Sequence, residues 1–186
     1  MGGGREALPG DHAVANPSLA GLITLDHVGI AVEDIEAAMK NFGGLLGIQR
    51  WHHVRFRTRA RYRGRPQTIG GYVATGSLGS LNIELVQPIE GSWTAADALS
   101  KRGEGLYHVG YRTNVEVGPL IERCAKEQVG VALTGLGDDD ALLFAYLDAE
   151  DLHGVTVEIV GPSPLPNDFI LSYQELVVSG GHLLQA

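Results

Sequence analysis

Cysteine is nearly absent: the 186-residue chain has one, Cys124. A single thiol excludes an internal disulfide and thiolate-built zinc sites, so any metal must be held by histidine and carboxylate. Long apolar runs are missing too. None reaches the roughly 18 residues of a membrane span, and the N-terminus lacks the charged-then-apolar order of a secretory signal. A soluble, cytoplasmic chain with no membrane partner is expected. Positive charge is scarce, with 14 Lys and Arg against 22 Asp and Glu and a net charge of −8. That balance argues against nucleic acid, because neutralising phosphates needs a basic face. Acidic residues are absent from one stretch, Trp51 to Ser80.

Hydrophobic residues make up 44% of the chain, enough for one compact domain or two fused modules sharing a core. Residues 1–20, rich in Gly, Ala and Pro without apolar periodicity, read as a flexible arm. Beyond it the chain repeats itself. Leu25-Asp26-His27-Val28-Gly29-Ile30 resembles Leu106-Tyr107-His108-Val109-Gly110-Tyr111, and Ile83-Glu84-Leu85-Val86-Gln87-Pro88 resembles Val157-Glu158-Ile159-Val160-Gly161-Pro162. From His27 to Glu84 is 57 positions and from His108 to Glu158 is 50, so order and approximate spacing recur with the words.

Within each copy the hydrophobic period changes once. Thr24 to Val32 alternates as a half-buried strand, with His27, Gly29 and Ala31 on one face. Ile35, Met39, Phe42 and Leu46 then follow a 3.6-residue stripe until Gly47. Strands are expected around 51–62, 68–76 and 80–87. The second copy predicts a strand at 105–113, a helix near 119–128 with Pro119 in its first turn and Leu120, Ile121 and Cys124 inward, and strands near 131–134, 142–148 and 155–160. A short helix from Ser92, with Trp93, Ala96 and Leu99 on one side, bridges them. The layout is a first βαβββ module at 21–90, a linker helix at 91–104, a second βαβββ module at 105–162 and a C-terminal tail at 163–186.

Alternation turns Glu84 and Glu158 away from their apolar neighbours, toward the face that carries His27 and His108. An inward carboxylate is costly to ionise unless paired or bound to metal. Two imidazoles and two carboxylates at equivalent places in a repeat suit Zn, Ni, Co, Mn or Fe, with positions left for water or substrate. His52, His53 and His153 are weaker candidates, His12 and His182 read as tail residues, and Cys124 reads as core. Arg55, Arg57, Arg59, Arg61, Arg63 and Arg65 occupy alternate positions and predict a cationic ridge on one strand face. Arg forks grip carboxylate and phosphate, so an anionic small-molecule substrate is expected.

At these residues the chain resembles the vicinal-oxygen-chelate superfamily, which includes glyoxalase I, methylmalonyl-CoA epimerase, extradiol dioxygenases and bleomycin-resistance proteins. The resemblance runs from about Gly21 to Pro162. It is nearest to methylmalonyl-CoA epimerase and glyoxalase-like proteins in DHVGIAVEDIEAA, IELVQPIEGS and ADALSKRGEGLYHVGY. It implies an α+β fold in which two tandem βαβββ modules form a curved mixed sheet around a concave metal site. It places a divalent metal ion on His27, Glu84, His108 and Glu158, and implies proton transfer next to a carbonyl of an acyl-CoA or other anionic activated acid. Glyoxalase I is the alternative, followed by an extradiol dioxygenase or a metal-free binding protein. In the epimerase pattern some members carry a non-ligand glutamate on a first-module strand; the stretch from Trp51 to Ser80 offers none. Glu158 and Tyr72 are therefore the expected catalytic residues, with Arg55, Arg57, Arg59 and His53 expected to bind substrate. A homodimer is expected, twofold assemblies being commonest among soluble oligomers.

Overall fold

The computed structural model describes residues 19–148, 154–162, 165 and 169–186. Most of the expected arm lies outside these residues, as do His12, His153, Pro164 and Pro166. The first module comprises β1 (Ile23–Ala31), α1 (Ile35–Leu46), β2 (Arg50–Tyr62), β3 (Arg65–Leu78) and β4 (Leu81–Glu90). Helix α2 (Thr94–Arg102) leads to β5 (Gly105–Thr113), α3 (Val117–Lys126), β6 (Val131–Leu136), β7 (Leu142–Leu147) and β8 (Thr156–Val160). The tail forms β9 (Ile170–Ser179) and β10 (His182–Gln185).

Each module orders its sheet with the first strand parallel to the last, β1 beside β4 and β5 beside β8. The two modules meet within one chain, where β1 and β5 pair antiparallel. Strand order β2-β3-β4-β1-β5-β8-β7-β6 closes on itself through pairing of β6 with β2. The result is an eight-stranded mixed closed sheet. β2 shares its outer edge, giving residues 59–62 to β6 and residues 50–56 to β9. The tail, for which the repeat offered no role, is thus an extra antiparallel hairpin; Gly180 and Gly181, with φ of 56° and 80°, make the turn to β10.

Two kinds of core follow from alternation along the strands. Inside the closed sheet, Phe56, Tyr62, Trp93, Tyr107, Leu133, Phe144 and Tyr146 pack together. Outside it, α1 lays Ile35 and Met39 on Trp51, Ile83 and Leu85, and α3 lays Leu120 and Cys124 on Leu147 and Ile159. Met39, Trp51 and Leu85 are fully covered, and burying a side chain of that size contributes about 1.5–3 kcal/mol. Asp34 caps α1 by accepting the Ala37 N–H. Leu46, expected on the buried stripe, is 40% exposed, because the stripe runs through Ile35, Ala38, Met39 and Gly43. Helix α2 likewise buries Ala95 and Ala98. Trp93, expected on the helix, is its extended cap residue, and its indole enters the interior of the sheet. Among the described residues no helix is long and apolar enough to cross a membrane.

Candidate metal centre

Strand register brings the repeated words together. Gly29 of β1 lies beside Glu84 of β4 on one side and His108 of β5 on the other. Gly110 of β5 lies beside Glu158 of β8 and His27 of β1. The two transverse rows are related by the repeat, and each puts a glycine between an imidazole from one module and a carboxylate from the other strand neighbour. The glycines are sterically required. A Cβ at Gly29 would stand 1.8 Å from His108 Cε1, and one at Gly110 would stand 2.1 Å from His27 Cε1.

The four side chains offer ligand atoms that all lie within 4.8 Å of one another. His27 Nε2 is 2.8 Å from His108 Nε2 and 2.9 Å from Glu158 Oε2. His108 Nε2 is 3.3 Å from the same oxygen, and Glu84 Oε1 is 3.7 Å from His27 Nε2 and 3.6 Å from His108 Nε2. Atoms bound at about 2.0–2.2 Å to one cation stand about 2.8–3.6 Å apart, and these separations run from 2.8 to 3.7 Å. Two imidazole nitrogens aimed at each other can share only one hydrogen between them. A divalent cation in their midst satisfies both lone pairs and both carboxylates at once. The N₂O₂ set, without sulfur, therefore fits the expected group of metals.

The surroundings orient one imidazole more firmly than the other. His27 Nδ1 donates to Asp26 Oδ2 at 3.0 Å, and Arg112 grips both oxygens of Asp26 at 3.1 and 3.2 Å. A carboxylate behind a histidine fixes its ring and tautomer. His108 Nδ1 is buried without a hydrogen-bond partner among the described residues. Its ring is instead held edge-on by Tyr107 and Tyr146, with centroids 4.4 and 5.3 Å away.

Protons are shared unevenly in the metal-free cluster. Burial opposes the charge on His27, but the Glu158 hydrogen bond and the charges of Glu84 and Glu158 outweigh it and raise its pKa from 6.5 to about 10. Burial opposes ionisation of Glu158 as well, yet its bonds to His108 and His27 hold it well below the usual carboxylate range. Burial, aided by repulsion from Glu158, pushes Glu84 up against the pull of His27. Burial and the two glutamate charges keep Tyr107 and Tyr146 far above the ordinary phenol value.

The cluster lies at a cavity of about 300 Å³, the lower end of the size that holds a small ligand. Beyond the donors its walls are mainly apolar, with Val54, Phe56, Val73, Phe144 and Val160 among them. The tail contributes Leu165, Phe169 and Ile170 to the lining, and Phe169 stacks on Phe56 with centroids 5.5 Å apart.

Residues 26–146 match the family model described as Glyoxalase/Bleomycin resistance protein/Dioxygenase superfamily. The chain belongs to this superfamily. A similar protein, the uncharacterized protein YqjC of Bacillus subtilis (strain 168), is 26% identical over 138 residues, 74% of this chain and 82% of its own. The methylmalonyl-CoA epimerase of Mycobacterium tuberculosis is similar in structure with a TM-score of 0.55 and 26% identity, covering 81% of this chain and 96% of that one. The hypothetical protein BH1468 of Bacillus halodurans C-125 is similar with a TM-score of 0.55 and 22% identity, covering 78% and 98%. A Streptomyces coelicolor methylmalonyl-CoA epimerase variant in complex with 2-nitronate-propionyl-CoA is similar in fold with a TM-score of 0.54 and 21% identity, covering 77% and 100%.

Other residues expected at the site of this superfamily member lie elsewhere. On β2 the even positions Val54 and Phe56 face the cavity, so the odd positions face outward. Arg55, Arg57 and Arg59 are exposed on that outer face. Arg57 pairs with Glu90 through two bonds, and Arg59 bonds Asp140 and the Gly137 carbonyl. Arg55 stands over the ring of Tyr72. Arg63 and Arg65 are not part of β2 at all, since the chain turns after Tyr62. Tyr72 pairs with Arg55 and His53 with Ala74, which puts Tyr72 and His53 on the outer face, their rings stacked 5.4 Å apart. Arg55, Arg57, Arg59 and Arg61 share the outer face of β2 as alternation predicts, whereas Arg63 and Arg65 do not extend that ridge; a one-residue change of parity exchanges the faces, and only the cavity side touches the cluster.

Four residues of the centre went unremarked in the sequence. Arg112 follows His108 and Gly110 by alternation, a signal that places it on their face. Asp26 is adjacent to His27, and a ladder irregularity between Leu25 and His27 leaves it without a cross-strand partner, so simple alternation misplaces it. Tyr146 pairs with Glu158 across β7 and β8, and Tyr107 follows another register shift between Gly29 and Ile30; neither is visible before the register is known.

Proposed function

We propose that the protein is a metal-dependent enzyme that moves a proton at a carbon next to a carbonyl, on an acyl-CoA or another anionic activated acid. The observation that carries this reading is the buried cluster of His27, Glu84, His108 and Glu158 at a ligand-sized cavity in a member of this superfamily. Similarity to methylmalonyl-CoA epimerase supports it.

His27, Glu84, His108 and Glu158 would hold the divalent ion. When bound, such an ion supplies Lewis acidity where negative charge develops on the carbonyl oxygen, a contribution of several kcal/mol. The chain does the rest. Asp26 and Arg112 keep the His27 ring in one orientation. The apolar walls and the Phe56–Phe169 stack exclude water from the acidified carbon. A carboxylate of the cluster takes the proton: Glu158, or Glu84, its counterpart in the first module, which stands farther from both imidazoles and needs less rearrangement to do so. Arg112 lies in the cavity lining with its side chain 56% exposed, and would meet the carboxylate of the substrate in place of the outward-facing arginines.

Methylmalonyl-CoA incubated with metal-loaded protein in deuterium oxide tests the proposal. Deuterium entering the α-carbon is expected, and its loss in whichever of Glu158→Gln and Glu84→Gln still carries metal identifies the acceptor. A metal-loaded protein that exchanges no α-hydrogen of any acyl-CoA, while converting the methylglyoxal–glutathione hemithioacetal, would reassign it as a lactoylglutathione lyase, which can use the same four donors.

A further inference from the structure

Tyr107 and Tyr146 stand behind His108 with their hydroxyls 3.4 Å apart. Both side chains are buried, at 3% exposure each, and Tyr146 lines the cavity while pairing with Glu158 across the sheet. Two hydroxyls bring two hydrogens. The pair uses one between its own oxygens, in whichever direction, and the other has no acceptor among the described residues. Buried donors are almost always satisfied, and one left over beside a cavity points to a partner that enters from it. Both rings are fixed by edge-on contacts with His108 and by stacking on each other at 6.4 Å, so the hydroxyl oxygens are held in place before any ligand arrives and only the O–H torsion has to turn. At neutral pH an ordinary phenol remains protonated and can donate.

We infer that the Tyr107–Tyr146 hydroxyl pair is the hydrogen-bond donor for an oxygen of the bound substrate, where Tyr146 lines the cavity; this rests on the metal-dependent reading above. The ligand class it selects is a small planar acid or its enolate, with one oxygen for the cluster and another for the phenol. An apolar wall at this place would accept hydrocarbon equally well. A fixed hydroxyl makes a ligand lacking that oxygen a poorer fit, because the donor stays unpaired.

Oxalate, a planar dianion with adjacent oxygens, is a suitable probe. Cobalt(II)-loaded wild type, Tyr146→Phe and Tyr107→Phe are titrated with oxalate and followed by the visible spectrum of the metal, with metal content measured in parallel. Each substitution keeps the ring against His108 and removes one oxygen. Weakening of oxalate affinity about tenfold in Tyr146→Phe, the worth of one hydrogen bond to a charged acceptor, at unchanged metal content, is the expected result. Tyr107→Phe should weaken it less, since Tyr146 can still donate. Equal affinities in wild type and both variants would overturn the inference and leave the metal-dependent reading standing. If loaded wild type binds no oxalate at all, the inference falls, while deuterium exchange at the α-carbon decides the metal-dependent reading separately.

Discussion

The imidazole of His27 fills the space where Gly110 has no side chain. A Cβ there would approach its ring to 2.1 Å, and the reciprocal pair, His108 over Gly29, is tighter at 1.8 Å. Antiparallel pairing of β1 with β5 sets each histidine opposite the other module's glycine, so the histidine and the glycine two residues later in each H-V-G word act across modules. Gly29→Ala and Gly110→Ala should each push an imidazole off the cluster, cutting metal affinity by at least tenfold. Stability should fall by about 1–3 kcal/mol, as for other overpacked sites. Metal analysis and thermal unfolding of the two variants check this.

Asp26→Asn keeps the size of the side chain and removes the charge behind His27. Loss of such a partner typically costs 10–100-fold in metal affinity. Arg112→Met should produce a smaller loss by releasing Asp26. Competition with a chromophoric chelator reads both.

Metal uptake should depend on pH in a defined direction. In the metal-free protein His27 is held protonated up to about 10, raised from 6.5. Its stabilising contribution is therefore fully present below 6.5 and is lost as pH climbs through about 10. A metal must displace that proton, so apparent affinity should rise about tenfold per pH unit between 6 and 9 for one proton released. Thermal unfolding at several pH values should show the gap between loaded and metal-free protein widening toward alkaline pH.

The outward arginines should be dispensable for turnover. Arg55→Ala, Arg57→Ala and Tyr72→Phe face away from the cavity, and each should change kcat/KM less than twofold. Arg57→Ala breaks an exposed pair with Glu90, which solvent screens and which contributes little. Steady-state rates with the substrate found by deuterium exchange check these variants.

Phe169→Ala removes the tail's ring from Phe56 and should open the cavity to water. KM should rise several-fold with metal content unchanged, a result that separates a wall residue from a ligand.

The paired modules and the four donors were legible because the repeat doubled a weak signal. One His before Gly or one Glu between apolar residues says little, but two such words in the same order fix both the strands and the face. Parity decided the rest. The arginines at odd positions of β2 do share a face, yet which face meets the cavity depends on Val54 and Phe56 pairing with β3, a long-range contact invisible in the local pattern. Asp26 and Tyr107 lie at register shifts that break strict alternation. The tail joined the sheet because β2 is longer than its partner β6 and leaves residues 50–56 with an unpaired edge that β9 fills.

Metal content of the protein purified without added metal or chelator tests the four-donor centre most directly, measured on wild type, His27→Ala and Glu158→Ala. One divalent ion per chain in wild type and its loss in both variants is the predicted result. Wild type that carries no metal, and takes up none of zinc, nickel, cobalt, manganese or iron on dialysis, would contradict it.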